Sequence, residues 1–122
     1  MYVGWRTIDK ESLMGFKEAK QKIIKCLNTG MVYHEQRNNI DIKNLLAIGV
    51  LTNEQVATII ARASGEGYSS SPHHYDSSVT VHVVKTKFTC FHWYIKWYFV
   101  DDNSVFISVY NQGVRNNSKL ST

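Results

Sequence analysis

Cysteine occurs twice in 122 residues, at Cys26 and Cys90, and proline once, at Pro72. Two distant cysteines with no CxxC spacing exclude a disulfide framework or a zinc knuckle and read as free thiols in a reducing compartment. No apolar run reaches the roughly twenty residues that span a bilayer. The opening MYVGWRTIDKES also lacks the continuous apolar segment of a signal peptide. The expectation is a cytoplasmic protein with no membrane partner, folded as a single domain over 1–122. Acidic residues are the scarcer charge, ten against fourteen basic, and the formal charge of +4 favours contact with a polyanion without requiring it.

What is present divides into two patterns. Leu13, Phe16, Ala19, Ile23, Ile24 and Leu27 recur at helical spacing, with Asp9 or Ser12 as possible caps and Gly30 after the end. VYHEQRNNI reads as a connection or short extended piece. Ile42, Leu45, Leu46, Ile48 and Val50 then suggest a short helix closed at Gly49. Thr52 followed by Gln55 forms a capping-box signature before Val56, Ile59, Ile60 and Ala63. The serine-rich segment 65–78 holds Gly65, Gly67 and the single proline, and reads as a mobile loop.

Beyond it the period changes to two. VTVHVVKTK, FHWYIKWYF and SVFISVY read as a three-stranded antiparallel meander. The expected class is α+β: N-terminal helices (about 9–65) on one face of a C-terminal antiparallel sheet (79–111), with a polar tail over 112–122. In FHWYIKWYF, Phe91, Trp93, Ile95, Trp97 and Phe99 share the core face, and His92, Tyr94, Lys96 and Tyr98 share the other. A three-residue loop Asp101-Asp102-Asn103 sets Val100 against Ser104, Phe99 against Val105, Trp97 against Ile107, Tyr98 against Phe106, Lys96 against Ser108 and Tyr94 against Tyr110. With Val79, Val81 and Val83 inward, His82 joins the open face, and Lys85 and Lys87 curl to the edge.

An open sheet face bearing His82, Tyr94, Lys96 and Tyr110 has the groups that metal-free RNA cleavage uses. They can move a proton from the 2′-hydroxyl, protonate the 5′-oxygen and balance phosphate charge, while exposed rings stack unpaired bases. The same residues also suit a plain solvated sheet surface. Tyr98 reads as a packing partner of Phe106, and His34 and His92 as surface residues. His73-His74 with Asp76 lacks helical ligand spacing and a nearby cysteine, so no metal or other cofactor is expected.

Several segments together resemble a known family. KIIKCLNTGMV, NLLAIGVLTNEQVATII with GEGYSSSPHHYD, and YIKWYFVDDNSVFISVYN resemble, in order over about residues 20 to 111, the motility quorum-sensing regulator (MqsR-like) toxins of bacterial toxin–antitoxin systems. The resemblance implies a RelE-like fold and an mRNA endonuclease, an mRNA interferase that needs no metal and leaves 2′,3′-cyclic phosphate ends. Its implied partners are single-stranded mRNA, free or ribosome-associated, and a cognate antitoxin. Tyr94 and Lys96 match the family's Tyr-x-Lys strand, His82 falls near a polar active-site position, and Tyr68 matches the loop tyrosine. With Tyr110 positioning the substrate, the expected catalytic set is Lys96, Tyr94, His82 and Tyr110, and the substrate-binding set is Tyr68, Lys85, Lys87, His92 and Arg115. Ser69 and Ser70 stand where the family carries a lysine, and Tyr110 where its last strand can end in a basic residue. His73, His74, Lys85 or Arg115 are the candidates to supply that charge. The alternative is a non-catalytic RNA-binding or protein-interaction module on the same fold.

Overall fold

The computed structural model describes residues 15–36 and 40–112. Helix α1 spans Phe16–Thr29 and buries Ala19, Ile23, Cys26 and Leu27. It ends because Gly30 takes a left-handed conformation (φ 79°), which an L side chain resists. The proposed caps Asp9 and Ser12 and the apolar Leu13 lie outside the described residues.

Strand β1 (Val32–His34) follows, then α2, a single turn over Ile40–Lys43, and α3 over Asn53–Ala61. The apolar run expected to make one helix up to Gly49 is helical only over Ile40–Lys43. Asn44 leaves the helix to bridge Val109, and turns carry the chain on. The capping box at α3 forms as expected: Gln55 N–H donates to Thr52 Oγ1 (3.1 Å), and Thr52 N–H to Gln55 Oε1 (2.8 Å).

The segment 65–78 is not simply a loop. It contains a 3-10 turn (Gly65–Gly67) and strand β2 (Tyr68–Pro72), an exposed edge strand whose backbone pairs with β3 (Thr80–Phe88). Serines suit this position because one side of the strand meets water. With β4 (Phe91–Val100) and β5 (Asn103–Asn111) the sheet has five strands in the order β1-β5-β4-β3-β2. All pairs are antiparallel except β1 with β5. The α+β class holds, and the three-stranded meander is the centre of a wider sheet.

The core forms where α1 and α3 meet the inner face of this sheet. Trp93, Ile95, Trp97 and Phe99 pack with Ile23, Leu27, Val56, Ile60, Phe106 and Val109. Ring-rich packing of this kind contributes strongly, since removing a buried Trp or Phe side chain costs about 3–5 kcal/mol.

The β4–β5 register differs from the expected one in one half. The turn has two residues, Asp101 and Asp102, so Phe99 opposes Ser104, Tyr98 opposes Val105 and Trp97 opposes Phe106. Asp101 supplies the positive φ of 56° that the turn requires, a conformation aspartate tolerates. A bulge between Lys96 and Trp97 then absorbs one residue, and Lys96–Ser108, Ile95–Val109 and Tyr94–Tyr110 pair as expected. Phe106 therefore enters the core rather than covering Tyr98. No described helix is long and apolar enough to cross a membrane.

Candidate functional site

The parity of β3 decides which residues share the open face. Val81, Val83, Lys85 and Lys87 oppose Tyr98, Lys96, Tyr94 and His92, so they lie on the side away from the helices, where Lys85 and Lys87 are exposed and Val81 and Val83 are buried. His82, Val84, Thr86 and Phe88 oppose the core residues of β4 and point inward. The expectation that His82 lies on the open face is corrected: it is fully buried. The alternative parity would turn two lysines toward the core, and two buried ammonium groups cost far more than one neutral imidazole with a hydrogen bond.

His82 sits in a ring cage. Its ring stacks on Trp97 (centroids 5.5 Å apart) and on Tyr68 (6.0 Å), and Tyr68 Oη lies 2.8 Å from Nδ1. Burial, with the nearby Lys22 charge second, holds its pKa down at about 4, so the imidazole is neutral near pH 7. Tyr68 also packs against Phe16 (5.2 Å). The pair His82–Tyr68 thus ties β2 and β3 to the helical layer and lies beneath the sheet, away from the open face.

On the open face the structure brings together Lys96, Tyr94, Tyr110, Lys85, Lys87 and His92. Arg115 lies outside the described residues. Lys96 lies in a cleft of about 610 Å³ between the end of β1 and the β2–β3 connection, lined also by Glu35, His73, His74, Val81 and Ile107.

The only carboxylate lining this cleft among the described residues is Glu35, a residue with no signal in the sequence pattern. Parallel pairing carries β1 along β5, and Glu35 N–H extends the ladder by donating to Phe106 C=O (2.9 Å). The side chain follows Tyr33 in parity and emerges on the open face, whereas His34 points inward. His34 is accordingly half-buried rather than a surface residue: Asn44 Nδ2 lies 3.1 Å from its Nδ1, and burial lowers its pKa.

Two groups hold the Glu35 carboxylate. Tyr98 O–H donates to Oε2 at 3.1 Å, and His73 Nε2 lies 2.9 Å from the same oxygen. The Tyr75 backbone N–H donates to His73 Nδ1 (3.0 Å), so Nε2 carries the proton and donates to the carboxylate. His73 is itself fixed by backbone, its N–H donating to Val79 C=O at 2.8 Å across the base of the connection. Burial first, then the bond to Glu35, raises the Tyr98 pKa and keeps its phenol protonated. Tyr98 is therefore a hydrogen-bond donor to the site and not a partner of Phe106.

The carboxylate is the more accessible member of the pair: the Glu35 side chain is 31% exposed and that of His73 12%. His73 and Tyr98 fix the orientation of the Glu35 carboxylate, whose remaining lone pairs can accept further hydrogen bonds. Lys96 supplies positive charge in the same cleft, and His74 stands at its exposed rim. Asp76 closes its own turn, accepting from Ser78 N–H (3.1 Å) and Oγ–H (2.6 Å). Among the described residues no three His, Cys, Asp or Glu side chains converge as metal ligands would.

Comparison with known proteins leaves this geometry without a family: no family model matches the chain, and no curated protein matches it.

Proposed function

We propose that the chain is a metal-independent endoribonuclease acting on single-stranded mRNA, the toxin of a toxin–antitoxin pair. The observation that carries the enzymatic reading is the juxtaposition of a fixed carboxylate, Glu35, with the Lys96 ammonium in one open cleft. The toxin reading draws on the ordered segments that resemble the MqsR-like family.

RNA carries its own nucleophile, so the site needs a base, a charge and an acid. Glu35 takes the proton of the 2′-hydroxyl. The oxygen attacks the adjacent phosphorus, and the bond to the 5′-oxygen breaks. Lys96 balances the charge that grows on the phosphoryl oxygens, and His74 protonates the departing oxygen. The products are a 2′,3′-cyclic phosphate and a 5′-hydroxyl. His73 and Tyr98 are positioning residues, since they reach the substrate only through Glu35.

This distribution of roles moves the base away from His82, which is buried, and from Tyr94, whose ring is stacked on Tyr110. The test is incubation of the purified protein with a defined single-stranded RNA in EDTA, with and without translating ribosomes. Cuts ending in cyclic phosphate support the reading. RNA that stays intact in both settings overturns it and leaves the non-catalytic binding module.

A further inference from the structure

Beside the cleft, four side chains form a row across the open face. Lys85 is the direct cross-strand partner of Tyr94, and Tyr94 of Tyr110. The two tyrosine rings stack with centroids 5.1 Å apart and planes inclined by 30°. Lys85 Nζ lies 5.8 Å from the centre of the Tyr94 ring, and Lys43 Nζ lies 5.1 Å from that of Tyr110. Lys43 reaches this position because the chain after α2 runs beside β5, with Asn44 bridging Val109. The row therefore reads cation, ring, ring, cation.

We propose that this row is a binding site for an unpaired nucleotide of a single-stranded nucleic acid, a reading that rests on the proposed function for its ligand class but not on cleavage. A single strand carries planar bases and phosphates side by side, and the row offers a ring pair flanked on both sides by ammonium groups. Lysine side chains are long and flexible, so each ammonium can swing from a ring to a phosphate and leave the ring face to a base. Stacking on aromatic side chains accepts any base, because each has a π face. The next same-face residue on β4 after Tyr94 is Lys96, about 7 Å further along the strand. In the other direction lie the cross-strand partners Lys87 and His92. A strand following β4 thus passes from Lys87 and His92 over the ring pair to the cleft. Tyr94 and Tyr110 accordingly hold a neighbouring nucleotide instead of moving a proton.

The probe is a fluorescent 2′-deoxy octanucleotide, which lacks the attacking hydroxyl, read by anisotropy over a range of salt concentrations. Tyr94→Leu and Tyr110→Leu are expected to bind roughly tenfold more weakly, as loss of one stacked base predicts. Tyr94→Phe and Tyr110→Phe, which keep the π faces, bind as the wild type does. Lys85→Gln reduces the slope of log affinity against log salt by about 0.7, the share of one phosphate contact on a single strand. Thermal melts report folding, and where a Leu variant unfolds the Lys85→Gln slope decides. Three results overturn the site: no binding by the wild type, Leu variants that bind undiminished, or a duplex of the same sequence bound as tightly as the single strand. Ring-dependent binding with no cutting of the matching RNA leaves this site standing without the nuclease. Cutting with ring-independent binding does the reverse.

Discussion

Lowering the pH is expected to destabilise this protein chiefly through His82. Its ring is sealed between Tyr68, Trp97 and Phe99, and its pKa in the fold is about 4 against an ordinary 6.5. Above pH 6.5 the imidazole is neutral in the folded and unfolded chain alike, and it adds nothing to the pH dependence. As the pH falls below that value the unfolded chain takes up a proton that the folded core refuses, and stability declines until about pH 4. The full difference is about 3 kcal/mol, at roughly 1.4 kcal/mol per pKa unit. Half-buried His34 adds a loss of the same sign. Urea unfolding between pH 7.5 and 4 should therefore be run on the wild type and on His82→Leu. The variant starts less stable, since the Tyr68–His82 hydrogen bond is lost, but its profile should be flatter by about 3 kcal/mol over that range. Parallel profiles for the two proteins would refute the assignment of the acid sensitivity to a buried neutral imidazole.

Two further perturbations probe the frame. A Cβ at Gly67 would collide with the Lys85 carbonyl oxygen, so Gly67→Ala must displace the β2 edge from β3; urea titration should show a loss of about 1–3 kcal/mol, typical of overpacking. A thiol reagent such as DTNB should label exposed Cys90 at once and buried Cys26 only in denaturant, because burial raises the Cys26 pKa and its Sγ–H is held by Asp102 C=O at 3.3 Å; two fast equivalents from the native protein would contradict that placement.

The long periodic signals carried the fold. The face of α1, the capping box of α3 and the inward set of β4 could all be read directly, because each repeats over several residues. The two edge strands could not. Val32–His34 is too short to show a period, and Tyr68–Pro72 is polar on a side that meets water, so neither has an apolar alternation. The parity of β3 is ambiguous in the sequence because valines occupy both of its faces: Val81 and Val83 on one, Val84 on the other. Lysines 85 and 87 were the better guide, since charge avoids the core more strongly than valine seeks it. Lys96, Tyr94 and Tyr110 were found because they share a strand face. Glu35 was not, because its place in the cleft depends on parallel pairing between segments about seventy residues apart. Tyr98 was recognised as an outward residue, but its carboxylate partner was hidden for the same reason.

The most direct measurement of the central claim is the single-turnover cleavage rate of a defined single-stranded RNA in EDTA by the wild type, Glu35→Gln and Lys96→Ala. The account predicts cutting by the wild type, and losses of about a hundredfold or more in each variant with the fold retained. A folded Glu35→Gln protein that cuts as fast as the wild type would contradict it, because no other carboxylate lines the cleft among the described residues.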